Sequence, residues 1–369
     1  MRVQIVDPAA QTPPYDRALA AALARAGADV ELVTSHFVHG PAPAAEGYEV
    51  SESFYRRSAR LPSNSWQRRA LGLAEHVPGM LRHRRRAASA DVVHYQWLTV
   101  PALDAHLLPR GPTRVLTTHG FLRAAESGPT AARAMERMDA VIALSEHAAS
   151  RLRNETSLEP GRIHVIPHGA LDYLTRLPDE RPLPPELEGA EGPVILCFGV
   201  IRPYKGVDVL LEAFAELEGA ELWIVGRPLS LDVAELERLA PAAPGRVRFV
   251  PRYVPDAEVP AIMRRADLVV LPYRDVDQSG VLYTALAFGK PIVASAVGGF
   301  PEVIQGHGAG RLVPSGDPAA LAACLRELLA QPAEREKLGA AALAAARGPY
   351  SWDTVARRTL DLYRRLRAR

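Results

Sequence analysis

Phe198-Gly199-Val200-Ile201-Arg202-Pro203-Tyr204-Lys205-Gly206 is the stretch that sets the fold class of this chain. It follows an apolar, strand-like run at 194–197. It precedes an amphipathic segment at 207–217, where Val207, Leu210, Leu211, Phe214 and Leu217 share one helical face. Strand, glycine-bearing turn and helix start together make an anion site in α/β proteins, because unpaired backbone N–H groups and the helix dipole converge there. This turn also carries Arg202 and Lys205, three residues apart, enough to meet two phosphates of one diphosphate. Of 44 basic residues only three are lysines, Lys205, Lys290 and Lys337, so arginine is the default surface cation. A lysine in a glycine-flanked turn therefore points to a need for a compact ammonium. The competing reading is a solvated loop.

On either side of this turn, strand-like runs alternate with helical patterns, the mark of parallel α/β sheets. The first half offers strands at 3–6, 30–33, 92–95, 115–118, 140–144 and 163–166. The second offers 194–198, 221–225, 247–250, 268–271 and 291–294. Between them the proline-rich, acidic run 177–193 (LPDERPLPPELEGAEGP) reads as an interdomain linker. The expected fold class is α/β: two Rossmann-like domains whose parallel sheets face each other across a cleft. The expected divisions are 1–172, a linker at 173–192, a second domain at 193–350, and a terminal helix at 351–369 carrying Trp352 and Tyr363.

A length of 369 residues suits two such domains. The net charge of +2 asks for no nucleic-acid partner. Cys197 lies inside an apolar strand and Cys324 far from it, and neither has metal-ligand spacing, so no metal and no cofactor is expected. Scarce cysteines and a start directly on a strand fit a reducing, cytoplasmic setting. No apolar run approaches the roughly 20 residues that span a bilayer. Between Arg56 and Arg86, nine arginines face one acid, Glu75, with Leu71, Leu73, Val77, Met80 and Leu81 interleaved. That segment reads either as a helix lying peripherally on an anionic membrane, at its inner face, or as a solvated helix face.

The second informative stretch is 268–291. A buried strand ends at Pro272, a polar loop comes next, Ser279-Gly280 opens a helix, and Gly289-Lys290-Pro291 stops it. With Thr118-His119, Ala143-Leu144-Ser145-Glu146, Val165-Ile166-Pro167-His168-Gly169, Ala266-Asp267-Leu268 and Val297-Gly298-Gly299-Phe300-Pro301-Glu302, in this order, the chain resembles retaining GT-B glycosyltransferases of glycosyltransferase family 4. The resemblance covers nearly the whole chain.

That resemblance implies a reaction and a division of labour. The reaction is transfer of a sugar from a nucleotide-diphosphate sugar, a UDP- or GDP-sugar, to a hydroxyl acceptor, with retention and without a metal. By the same resemblance, the second domain binds the donor; the first binds the acceptor and receives the terminal helix. Arg202 and Lys205 match the pair that holds the diphosphate and stabilises charge on the leaving group. His119 matches the histidine that reaches the donor sugar. Gly199 and the backbone of Ser279, Gly280 and Val281 match the donor-binding turn and helix start.

The chain also departs from the family pattern. The family's second glutamate, which binds ribose, falls at Thr284, whose hydroxyl cannot accept two ribose hydroxyls as a carboxylate does. Its first falls at Val276, or at Asp277 with one gap. Asp277 is favoured as the carboxylate facing the sugar, with Asp275 as the fallback. The loop 7–16 (DPAAQTPPYD) lacks the expected glycines, and Tyr15 and Asp16 either touch acceptor or only start a helix. Asp275-Val276-Asp277 also resembles a metal-binding Asp-x-Asp, a reading the neighbouring cations make unnecessary. Two rivals stand beside the transferase: a catalytically silent sugar-nucleotide-binding protein, and a GT-B sugar-nucleotide epimerase.

Overall fold

A computed structural model of the chain describes residues 1–37, 44–62, 65–120, 129–230, 234, 236, 238, 240 and 246–368. The chain divides into two compact units, residues 1–169 joined by 352–369, and residues 170–351.

The first unit is built on a parallel sheet of seven strands among the described residues: β1 (Arg2–Asp7), β2 (Asp29–Thr34), β3 (Glu49–Glu52), β4 (Val92–Tyr95), β5 (Thr113–Thr118), β6 (Ala140–Ala143) and β7 (Ile163–Val165), in the order β3-β2-β1-β4-β5-β6-β7. The second has six described strands: β8 (Val194–Phe198), β9 (Glu221–Val225), β10 (Arg246–Val250), β11 (Leu268–Leu271), β12 (Ile292–Ser295) and β13 (Gly310–Val313), in the order β10-β9-β8-β11-β12-β13. Both orders turn back at the first strand of the unit, so each sheet has a topological switch point beside β1 or β8.

The apolar runs are continuous because helices cover both faces of each sheet. In β8 the two-residue side-chain period sends Val194 and Leu196 into one core with Trp223, Val269 and Leu271. It sends Ile195 and Cys197 into the other with Leu222, Ile224 and Val270. Two strands escaped the sequence pattern. β3 (EVSE) is a largely exposed edge with no apolar run to betray it, and β13 (GRLV) is a short edge whose glycine packs against the Ile292 carbonyl.

Residues 173–192, expected as a free linker, belong to the second unit. Leu174 and Leu187 are buried in its core beside Val194 and Val259. Short 3-10 turns at Asp172–Arg176 and Pro185–Leu187 break the segment, and the leucines within them still have apolar surface to bury.

In the first unit, α1 (Pro13–Arg25) follows β1, α2 (Trp66–Arg86) carries the arginine-rich segment, and α3 (Pro101–Leu107) lies beyond β4. The second unit places α4 (Val207–Phe214) after β8 and α5 (Gly280–Ala287) after β11. The final helix, α6 (Trp352–Arg367), returns to the first unit. Its Tyr363 hydroxyl meets His94 Nδ1 at 2.6 Å, and its Asp353 pairs with Arg25 at 2.8 Å. Its first residue, Trp352, lies flat where Gly169 has no side chain.

A Cβ at Gly169 would fall 2.4 Å from Trp352 Cε2. Gly169→Ala is therefore expected to lower stability by about 1–3 kcal/mol through overpacking, read as a lower Tm, and Trp352→Leu in the same chain should recover part of the loss. An unchanged Tm in Gly169→Ala would show that the indole has room to move.

Candidate active site

In a parallel sheet the ligand-binding loops gather at the carboxyl ends of the strands. In the second unit, β8 ends in Gly199 and then in the turn 203–205 that precedes α4. Gly206, at φ +63°, joins turn to helix, and a Cβ there would lie 2.0 Å from the Pro272 carbonyl oxygen. Only glycine lets the turn lie this close to the end of β11. Gly199, at φ +97°, sits against Val281 Cγ2 and Lys205 Nζ, where a Cβ would come within 2.9 and 3.2 Å. This close approach brings the β8 turn, Lys205 and the start of α5 together.

Lys205 is only 7% exposed, and its ammonium lies 4.9 Å from the centre of the Tyr273 ring. No carboxylate pairs with it among the described residues, and burial pushes its pKa down. Arg202, half-buried at the head of the same turn, likewise has no acidic partner among the described residues. A third cation nearby is neutralised: Arg274 makes two bonds to Asp208, at 2.8 and 2.6 Å, and another to the Pro203 carbonyl at 3.0 Å. Arg274 thus clamps the turn and leaves Arg202 and Lys205 as its uncompensated charge. A buried cation without a counter-charge is costly, and a bound anion removes that cost.

Tyr273 follows β11 and also reaches Ser279 Oγ with its hydroxyl, at 3.3 Å. Ser279 and Gly280 open α5 with their backbone, and no side chain caps that end. Asp277 is buried, and its carbonyl accepts a bond from Gly299 N at 3.2 Å. Thr284 is 4% exposed, and its hydroxyl donates to the Gly280 carbonyl at 2.9 Å, inside its own helix. Gly199, Arg202, Lys205, Ser279, Gly280 and Val281 therefore cluster at one sheet edge, while the Thr284 hydroxyl is already engaged. Sequence reasoning missed Tyr273 and Arg274; the signal was an aromatic and a cation directly after a strand-ending proline.

The first unit gathers Asp7, Gln96, Trp97 and His119 at the carboxyl ends of β1, β4 and β5. His119 Nε2 lies 2.9 Å from Gln96 Oε1. Trp97 stacks on the imidazole at 5.2 Å and 18°, and Tyr15 meets it edge-on at 4.7 Å. Tyr15 and Asp16, expected to touch acceptor or to start a helix, are 4% and 1% exposed. Tyr15 is a packing post between His119, His168 and Trp352. Asp16 accepts from Thr12 Oγ1 at 3.2 Å, and the charge of Asp7 acts on its carboxyl. Neither side chain offers an open surface, because both point into the core beneath α1.

The electrostatics of this edge follow from burial. Desolvation holds His119 well below the usual histidine range, helped by the nearby His168 and His94. Burial takes His168 down to about 4 and His94 to about 3. Burial, and then the charge of Asp7, pushes Asp16 well above the usual carboxylate range; burial raises Asp7 as well. Burial thus favours the neutral form of each of these groups.

A family model described as "Glycosyl transferases group 1" matches residues 192–331, and one described as "Glycosyltransferase Family 4" matches residues 17–170. The chain is similar to the D-inositol 3-phosphate glycosyltransferase of Xylanimonas cellulosilytica, 30% identical over 95% of this chain and 90% of that protein. It is also similar to the GDP-mannose-dependent alpha-(1-6)-phosphatidylinositol monomannoside mannosyltransferase of Mycolicibacterium smegmatis, 28% identical over 90% and 91%. Among solved structures, Anabaena Alr3699/HepE in complex with UDP-glucose superposes with a TM-score of 0.75 at 20% identity, over 99% of this chain and 100% of that one.

The carboxyl pair yields a pH prediction. Unfolded aspartate titrates near 3.9, and the folded pair binds its proton more tightly. The pair's contribution is thus present at low pH and lost as pH rises through the folded values. Asp16→Asn keeps the shape and removes that loss, so its denaturation midpoint should exceed that of the unmodified chain at pH 8 and not at pH 4. An equal or lower midpoint at pH 8 would contradict the upward shift of these carboxyls.

Proposed function

The chain belongs to the family-4 glycosyltransferases, and on that basis we propose that it moves a sugar, with retention and without a metal, from a UDP- or GDP-sugar to a hydroxyl acceptor of a glycan, glycolipid or natural product. The observation that carries this reading is the pair of uncompensated cations, Arg202 and Lys205, at the end of β8. In transfer the anomeric carbon–oxygen bond breaks and its electrons stay on the diphosphate. The acceptor oxygen takes over the anomeric carbon, and its proton passes to a phosphate oxygen. Charge grows on the leaving diphosphate, where fixed cations in a poorly hydrated turn stabilise it most. Those two cations supply the neutralisation that a divalent ion would otherwise bring.

In this reading Gly199 and the backbone N–H groups of Ser279, Gly280 and Val281 cradle the donor, and His119 and Asp277 hold the sugar. Thr284 lies by the ribose through its helix backbone, since its hydroxyl is taken. The first unit receives the acceptor, with Tyr15 and Asp16 supporting the loop 8–12 from below. That engaged hydroxyl also favours the second reading, a silent sugar-nucleotide-binding protein. Product formed with any hydroxyl acceptor, or slow donor hydrolysis, excludes it.

We further propose a cytoplasmic enzyme that touches the inner face of the membrane through α2. Trp66 is 72% and Leu73 61% exposed on that helix, with Leu81 on the same side and Arg69 and Arg85 flanking them. No helix among the described residues is long and apolar enough to cross a membrane.

Lys205→Ala should lower turnover by at least about 100-fold while the chain still folds cooperatively, and one nucleotide sugar of a UDP-, GDP-, ADP- and TDP-sugar panel should raise the Tm of the unmodified chain but not of Arg202→Ala/Lys205→Ala. Near-normal turnover in Lys205→Ala defeats the assignment. Vesicles containing phosphatidylserine should retain the protein in flotation, and Trp66→Ser/Leu73→Ser should abolish retention; equal retention of that variant removes α2 from the contact.

A further inference from the structure

Gln96 is 1% exposed, and its backbone N–H is fixed to the Val6 carbonyl at 2.8 Å. Its side-chain oxygen lies 2.9 Å from His119 Nε2, while its amide nitrogen has no partner and is buried. The His119 ring cannot turn away. Trp97 covers one face, anchored by its own Nε1–H to Thr12 Oγ1 at 2.9 Å, and Tyr15 abuts it edge-on. His119 is partly exposed, and its Nδ1 is not sealed in the interior and makes no hydrogen bond among the described residues.

We propose that Gln96 is a positioning residue for sugar transfer: by accepting the Nε2–H of His119 it fixes the neutral imidazole with Nδ1 as a bare acceptor, so that the site takes a sugar presenting a hydroxyl there and refuses one presenting a carboxylate. This rests on His119 holding the donor sugar. The chemistry is that of any neutral imidazole, in which a proton fixed on one nitrogen leaves the other able only to accept. A hydroxyl supplies the missing hydrogen. A uronate carboxylate meets a lone pair instead of an imidazolium and is repelled. Among the described residues, the groups around the ring, namely Gln96, Trp97, Tyr15, His94 and His168, bring no arginine or lysine that could reverse this.

The test is nitrogen-15 NMR of the histidine-labelled full chain, with the His119 signals assigned by loss in His119→Gln. The expected result is one neutral ring, protonated at Nε2 in the unmodified chain and in Gln96→Glu, and a mixture of tautomers in Gln96→Met. In kinetics Gln96→Met should lose about 10–100-fold in kcat, Gln96→Glu should recover most of it, and UDP-glucuronic acid should be turned over far more slowly than UDP-glucose. If the donor proves to be a GDP-sugar, GDP-mannose and GDP-mannuronic acid replace that pair. An Nδ1-protonated ring in the unmodified chain overturns the proposal, as does Gln96→Met with normal kcat while His119→Gln is impaired. Normal turnover in His119→Gln would instead strike the role of His119 itself, a separate failure.

Discussion

A parallel strand can be followed by its parallel neighbour only after the chain has returned to the opposite edge of the sheet. Every strand pair in both units obeys this constraint, and the chemistry depends on it. All strand-to-helix turns of a unit collect at one edge, and there backbone groups stay unpaired and side chains can be aimed. Asp7, Gln96 and His119 meet at one edge although 112 positions separate the first from the last, simply because β1, β4 and β5 are neighbours. Arg202, Lys205, Tyr273 and Ser279 meet at the other for the same reason.

The two edges hold their charges in opposite ways. The first unit buries His119, His94, Asp7 and Asp16, and burial shifts each toward its neutral form. The second keeps a cation, Lys205, against the face of Tyr273 and without a carboxylate partner among the described residues. A cation–π contact is worth about 0.5–2 kcal/mol, less than a buried ammonium loses on leaving water. The clamp of Arg274 on Asp208 holds the turn that carries this ammonium.

Family membership narrows this without completing it. The two relatives carry different names, and of these only the mannosyltransferase's states a donor, GDP-mannose. One departure from the expected motif is Thr284, whose hydroxyl folds back onto the Gly280 carbonyl. The loop after β1 is another: without glycines, it is held by the Asp7 carboxylate accepting from Gln11 N and Thr12 N, at 2.5 and 3.0 Å.

Whatever is set by local pattern was legible in the amino-acid order. The alternation of apolar runs and helical faces carried the α/β class and eleven of the strands. The glycine turn before α4 located the cationic pair, and motif order pointed to the family. β3 and β13 stayed hidden, because their edge positions need little apolar surface. The expected linker was a reading of prolines that could not weigh Leu174 and Leu187 against a core formed elsewhere in the chain. Which polar residues are free was settled only in three dimensions. Asp16 and Tyr15 look available along the chain and are buried, Thr284 spends its hydroxyl on its own helix, and Gln96 sits against His119. Hydrogen-bond partnership is a property of groups brought together across the sheet edge, and local spacing along the chain carries no record of it.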